Sequence, residues 1–177
     1  MASQQNKTLH HHITAVKKGE RAFENAFQSV SRMVLEGNIA KVLVNGKTTF
    51  DFTAFRDGKK HIIGMYDEIN SFVSFVKDAA EGGSSKEMAF VLVGEPGNGK
   101  TFLVEYICSM YRNFLSRPEN RKYTFRFTGL DKIGGYGNIS VIESQTYEDP
   151  MILAMNLYED AEESKKYLTR RYRLNDD

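Results

Sequence analysis

The sequence predicts a three-layer α/β domain, with a mostly parallel central sheet between helices, preceded by an N-terminal helix and a β-hairpin. Two observations carry this expectation. Apolar runs of strand length alternate with segments of helical periodicity, and the glycine-rich stretch Gly94 to Thr101 joins one such run to one such helix. A chain of 177 residues is long enough for one full domain.

Residues 1–20 are polar and aperiodic, so they read as a flexible tail. His10, His11 and His12 fall in that tail without other metal-ligating residues around them, and they read as solvated. Residues 21–58 form the helix and hairpin. Phe23, Ala26, Phe27, Val30, Met33 and Val34 recur at helical spacing, and Glu36-Gly37-Asn38 supplies a stop. Lys41 to Val44 and Thr48 to Phe52 then flank Asn45-Gly46, a pair that tolerates positive φ at both turn positions, and Asp57-Gly58 closes the unit.

Residues 59–177 read as the nucleotide-binding part. Ile62-Ile63-Gly64 leads into a helix with Ile69, Phe72, Val73 and Val76 on one face, which breaks at Glu81 to Ser85. Ala89-Phe90-Val91-Leu92-Val93 is expected to be a buried strand, and Phe102 to Leu115 a helix. Tyr123 to Phe127 alternates as a second strand, the glycines Gly134, Gly135 and Gly137 mark a surface loop, and Met151 to Leu157 is apolar. Glu159 to Arg173 is a charged helical end with Glu162 and Lys166 four residues apart; Arg170, Arg171 and Arg173 read as a solvated face.

Gly94, Glu95, Pro96, Gly97, Asn98, Gly99, Lys100 and Thr101 fill every fixed position of the pattern G-x-x-x-x-G-K-[ST]. The chemistry behind that pattern is the replacement of water around a phosphate chain. Glycines allow successive backbone N–H groups to turn inward as an anion nest. The following helix adds its unpaired first-turn N–H groups and the positive end of its dipole. Lys100 is then expected at the β- and γ-phosphates, Thr101 at Mg²⁺, and Pro96 stiffens the loop where no N–H is needed. The expected ligands are ATP and Mg²⁺.

Composition narrows the rest. Net charge is +1 with both signs well mixed, which argues against a nucleic-acid groove or an anionic membrane as a main partner. The single cysteine, Cys108, excludes an internal disulfide, suits a reducing compartment, and reads as a small buried hydrophobe. No segment approaches the ~20 consecutive apolar residues of a membrane span, and the expected location is cytoplasmic.

The loop GEPGNGKT with the upstream HIIGMYDEI resembles the AAA+ branch of P-loop ATPases. More narrowly, residues 62–83 (IIGMYDEINSFVSFVKDAAEGG), 90–101 (FVLVGEPGNGKT) and 143–153 (ESQTYEDPMIL) resemble the N-terminal part of the PrkA family of serine protein kinases. That resemblance implies phosphorylation of protein serine or threonine, a protein substrate or client, and assembly into an AAA+ homo-oligomer. It also implies that Ile62, Ile63 and Gly64 line a pocket for the base. The acidic pair that P-loop ATPases carry at the end of a later strand has no counterpart after Thr101, since Asp131 has no second acid beside it and Tyr158-Glu159-Asp160 turns charged at once. The catalytic acids are therefore unassigned, and the chain is expected to be a fragment that ends before them. Two functions follow as expectations: the ATP-binding module of a PrkA-like kinase or ATPase, and a nucleotide-responsive assembly or regulatory module whose output is binding. A small-molecule kinase fits less well, because no substrate-binding constellation follows the loop.

Overall fold

A computed structural model describes residues 8–56, 61–132, 135, 137–156, 162 and 166. The chain divides into two units, one spanning Glu24–Ser116 and the other combining Met1–Phe23 with Arg117–Asp177. The boundary expected near residue 58 falls inside the first unit.

In the Glu24–Ser116 unit, helix α2 runs Ala26–Leu35. Its start is fixed by Asn25, whose side chain accepts from the Gln28 N–H while the Gln28 side chain accepts from the Asn25 N–H, each at 2.9 Å. Strands β1 (Ile39–Val44) and β2 (Lys47–Phe52) pair antiparallel, with Val44 opposite Lys47 and Ile39 opposite Phe52. Asn45 and Gly46 sit at φ 49° and 76°. Two successive left-handed residues give the turn whose twist matches the strands.

Helix α3 covers Tyr66–Ala80 and buries Ile69, Val73, Val76 and Ala79 along one stripe. Asp67 and Glu68 in its first turn complement the helix dipole where no side chain caps the end. At its other end the Asp78 carboxylate accepts from the Ser85 N–H at 3.0 Å. Hydrogen bonds from the Ser85 hydroxyl and then from its backbone N–H hold Asp78 below its ordinary pKa of 3.8. Helix α4 covers Lys100–Ser116. The core of the unit gathers Met33, Val34, Phe52, Phe55, Ile62, Ile69, Val73, Leu103 and Phe114. Phe55 is fully buried and stacks on Tyr106 at 6.4 Å between ring centroids.

In the other unit, helix α1 spans Leu9–Lys17 and α5 spans Pro150–Met155. Thr8 caps α1, Asp149 caps α5 through the Met151 N–H, and Pro150 occupies the first helical position, where its missing N–H costs nothing. Ile13, Met151 and Ala154 form a small core. The segment expected to be a flexible tail is thus helical from Leu9, because Ile13 packs with Met151 and Ala154 while Leu9 and Val16 flank them. His12 is buried as well. One ring nitrogen, Nδ1, lies 2.7 Å from an Arg21 guanidinium nitrogen, and Nε2 lies 3.2 Å from Asp149 Oδ1. Since arginine can only donate, Nδ1 accepts and Nε2 carries the proton. The Arg21 guanidinium also stacks over Tyr123 at 3.8 Å. Strands β3 (Arg126–Thr128) and β4 (Val141–Glu143) pair antiparallel.

This architecture corrects the expected fold. The described residues contain two separate two-stranded sheets, both antiparallel, in place of a mostly parallel central sheet flanked by helices. Ala89–Val93 enters no ladder, and none of the backbone–backbone hydrogen bonds among the described residues involves it. The apolar run that suggested a buried strand is buried on one side only: Phe90 packs on Phe72 and Phe75 with centroids 5.6 and 5.4 Å apart, while Val91 and Val93 are 71% and 89% exposed. Side-chain alternation is local, however, whereas a ladder needs a partner from elsewhere in the chain. Without a sheet across it, α4 buries only Leu103 and Phe114, and Cys108, expected to be buried, is exposed. The Asp57-Gly58 turn, Gly134, Tyr158 to Asp160, and the charged end from Glu159 to Arg173 apart from helical Glu162 and Lys166 lie outside the described residues.

Candidate functional site

The site is built where Ala89–Val93 gives way to α4. Gly97 and Gly99 stand at φ 88° and 73°, conformations that cost a residue with a Cβ about 1–2 kcal/mol. A Cβ on Gly97 would meet nothing within 4 Å, so backbone conformation alone calls for glycine there. The first helical hydrogen bond runs from the Leu103 N–H to the Gly99 carbonyl at 2.9 Å. The N–H groups of Lys100, Thr101 and Phe102 thus lie in the first turn of α4, where helix geometry supplies no acceptor for them.

Lys100 folds back over the loop. Its ammonium donates to the Gly94 carbonyl at 2.8 Å and to the Glu95 carbonyl at 2.5 Å. Both acceptors are neutral. A phosphate oxygen is a stronger, charge-assisted acceptor for the same ammonium, so these bonds hold the lysine at the loop without committing it. Thr101 follows on the first turn, exposed to solvent. Glu95, Pro96 and Asn98 are exposed along the loop rim.

The upstream segment is brought against this loop by Met65. Its Sδ lies 3.3 Å from where a Cβ on Gly99 would stand. Met65 itself holds φ 52°, rare for a side chain of its size, and no feature of the sequence announced it. The three residues expected at the base diverge. Ile62 is buried in the core and its side chain is unavailable to a ligand, Ile63 is 83% exposed, and Gly64 at φ 72° lines a cleft beside Met65.

Arg56, which no sequence pattern singles out, ties this segment to the hairpin. Its guanidinium donates to Asp51 Oδ1 at 2.8 Å and to the Ile62 carbonyl, and it lies over the Tyr66 ring at 4.7 Å. Asn70 adds a second tie, donating at 2.7 Å to the carbonyls of both Phe50 and Tyr66. Behind the loop, an apolar cavity of about 220 Å³ lies among Phe72, Phe90, Leu92, Leu103, Val104, Ile107 and Cys108. Among the described residues, no group of three or more His, Cys, Asp and Glu side chains could hold a metal ion, and no helix is long and apolar enough to cross a membrane.

Comparison with family models, curated proteins and solved structures gives no match for this chain.

Proposed function

We propose that Gly94–Thr101 binds the phosphate chain of ATP with Mg²⁺, and that the chain serves as the ATP-binding module of a PrkA-like serine protein kinase or ATPase. The observation that carries the phosphate reading is Lys100 resting on its own loop carbonyls beside two left-handed glycines and the first turn of a 17-residue helix. Backbone N–H groups of Gly97 to Thr101 would take the phosphate oxygens, and the Thr101 hydroxyl would be the protein's ligand to Mg²⁺. The metal would neutralise charge between the phosphates, and Lys100 would change partners from carbonyl to phosphate as the nucleotide enters.

The family assignment rests on the three sequence segments alone. The loop tests independently of it. Mg-ATP should raise the thermal midpoint of the chain, since a ligand bound by the folded state alone adds RT ln(1 + [L]/Kd). Lys100→Ala should abolish that rise, and a wild-type midpoint that stays fixed at millimolar Mg-ATP defeats the proposal.

A second reading, a nucleotide-responsive assembly module, is favoured by the exposed apolar side chains Val91 and Val93 immediately before the loop. It takes a further copy of the chain or a protein client as partner. Sedimentation with and without Mg-ATP separates the two: a nucleotide-dependent rise in mass supports assembly, and an unchanged mass removes it.

A further inference from the structure

The turn of the β1–β2 hairpin stands over a polar cleft that the phosphate loop does not use. The cleft measures about 390 Å³, within the size range of small-molecule sites. Asn45, Lys47 and Thr49 line one wall, and residues 64–68 line the other. The walls are fastened to each other, because Arg56 joins Asp51 of β2 to the Ile62 carbonyl and the Tyr66 ring, and Asn70 joins the Phe50 and Tyr66 carbonyls.

Met65 belongs to both places. It lines the cleft, and its sulfur lies 3.3 Å from where a Cβ on Gly99 of the loop would stand. Through Met65 the cleft borders the loop at Gly99, on the path open to the non-phosphate part of a molecule held at Gly97–Thr101.

The lining selects among ligands. Two carboxylates, Asp67 and Glu68, disfavour a free anion, and the Lys47 ammonium offsets one of their charges, which leaves acceptors for a neutral hydroxyl. A neutral group that has hydroxyl donors and a flat apolar face suits every wall: hydroxyls donate to the carboxylates, the face lies on Met65, and Asn45 and Thr49 can both donate and accept. Resting on the phosphate-loop reading above, we infer that the hairpin turn is a nucleoside-contacting element, with Asn45, Lys47 and Thr49 forming the specificity wall for the ribose and base of the bound nucleotide.

The test compares Mg-ATP with Mg-tripolyphosphate, which has the phosphates and no nucleoside, by backbone amide NMR of the full chain. Both ligands should shift the amides of residues 97–101. Only Mg-ATP should also shift residues 45–49 of the hairpin. The double variant Lys47→Ala, Thr49→Val should weaken Mg-ATP about tenfold, as expected for the loss of two polar contacts, and leave Mg-tripolyphosphate unchanged. Equal affinities for the two ligands overturn the inference, as do hairpin shifts that appear equally with tripolyphosphate. The wild-type spectra decide the matter even where the variant fails to fold. If neither ligand moves residues 97–101, the phosphate-loop reading falls and this inference with it; if both move the loop and neither distinguishes the hairpin, only the inference falls.

Discussion

Replacing Gly99 by alanine probes the loop conformation and its contact with the upstream segment at once. At φ 73° an alanine pays about 1–2 kcal/mol for its Cβ in the left-handed region. The new methyl also arrives 3.3 Å from Met65 Sδ, tighter than an ordinary van der Waals contact. The methionine tail is flexible and can give, so this adds only a few tenths of a kcal/mol, roughly. The expected loss is therefore about 1–2 kcal/mol, seen as a lower urea midpoint with an unchanged m-value. Gly97→Ala is the control, because φ 88° imposes the backbone cost where a Cβ meets nothing. Combining Gly99→Ala with Met65→Ala should recover those few tenths, a coupling that a double-mutant cycle reads directly. A Gly99→Ala midpoint equal to wild type refutes the left-handed loop, and strict additivity with Met65→Ala refutes the contact that joins the loop to the cleft.

Phe55→Ala should cost about 3–5 kcal/mol by urea denaturation, as deletion of a fully buried ring leaves a cavity against Tyr106; a cost below that of a surface substitution would show that the core lies elsewhere. Ser29 Oγ is buried in α2 with no hydrogen-bond partner among the described residues, so Ser29→Ala should stabilise the chain by about 1 kcal/mol, and a destabilised variant would reveal an acceptor for that hydroxyl. The lowered pKa of Asp78 means that its contribution is fully present above its unfolded value of 3.8 and is lost as pH falls through the lower folded value. The stability gap between wild type and Asp78→Asn should accordingly shrink on acidification through that window, and a gap that widens there contradicts the Ser85 hydrogen bonds.

Short-range order was legible in the residues. The stripe Ile69, Val73 and Val76 foretold α3, Asn45-Gly46 foretold the hairpin and its turn, and the glycines of the loop stand at the positive φ their spacing requires. Each of these is set by steric or solvation rules acting within a few residues. The loop's conformation was legible to the same depth, since its spacing foretold left-handed glycines, whereas the resemblance led to Ile62 at the base and that side chain belongs to the core. Apolarity alone does not tell a ligand wall from a packing surface.

What the amino-acid order fixed, then, was conformation along the chain: turns, helices, and the glycine loop with Lys100 at the head of α4. Which segments pair, and which residues meet the loop, was decided in three dimensions. Ala89–Val93 has the composition of a strand yet finds no ladder, His12 in an apparently solvated tail is buried between Arg21 and Asp149, and Met65 reaches Gly99 from 34 positions upstream. These outcomes depend on contacts between residues far apart in sequence, whose closure entropy and competing partners no local pattern encodes.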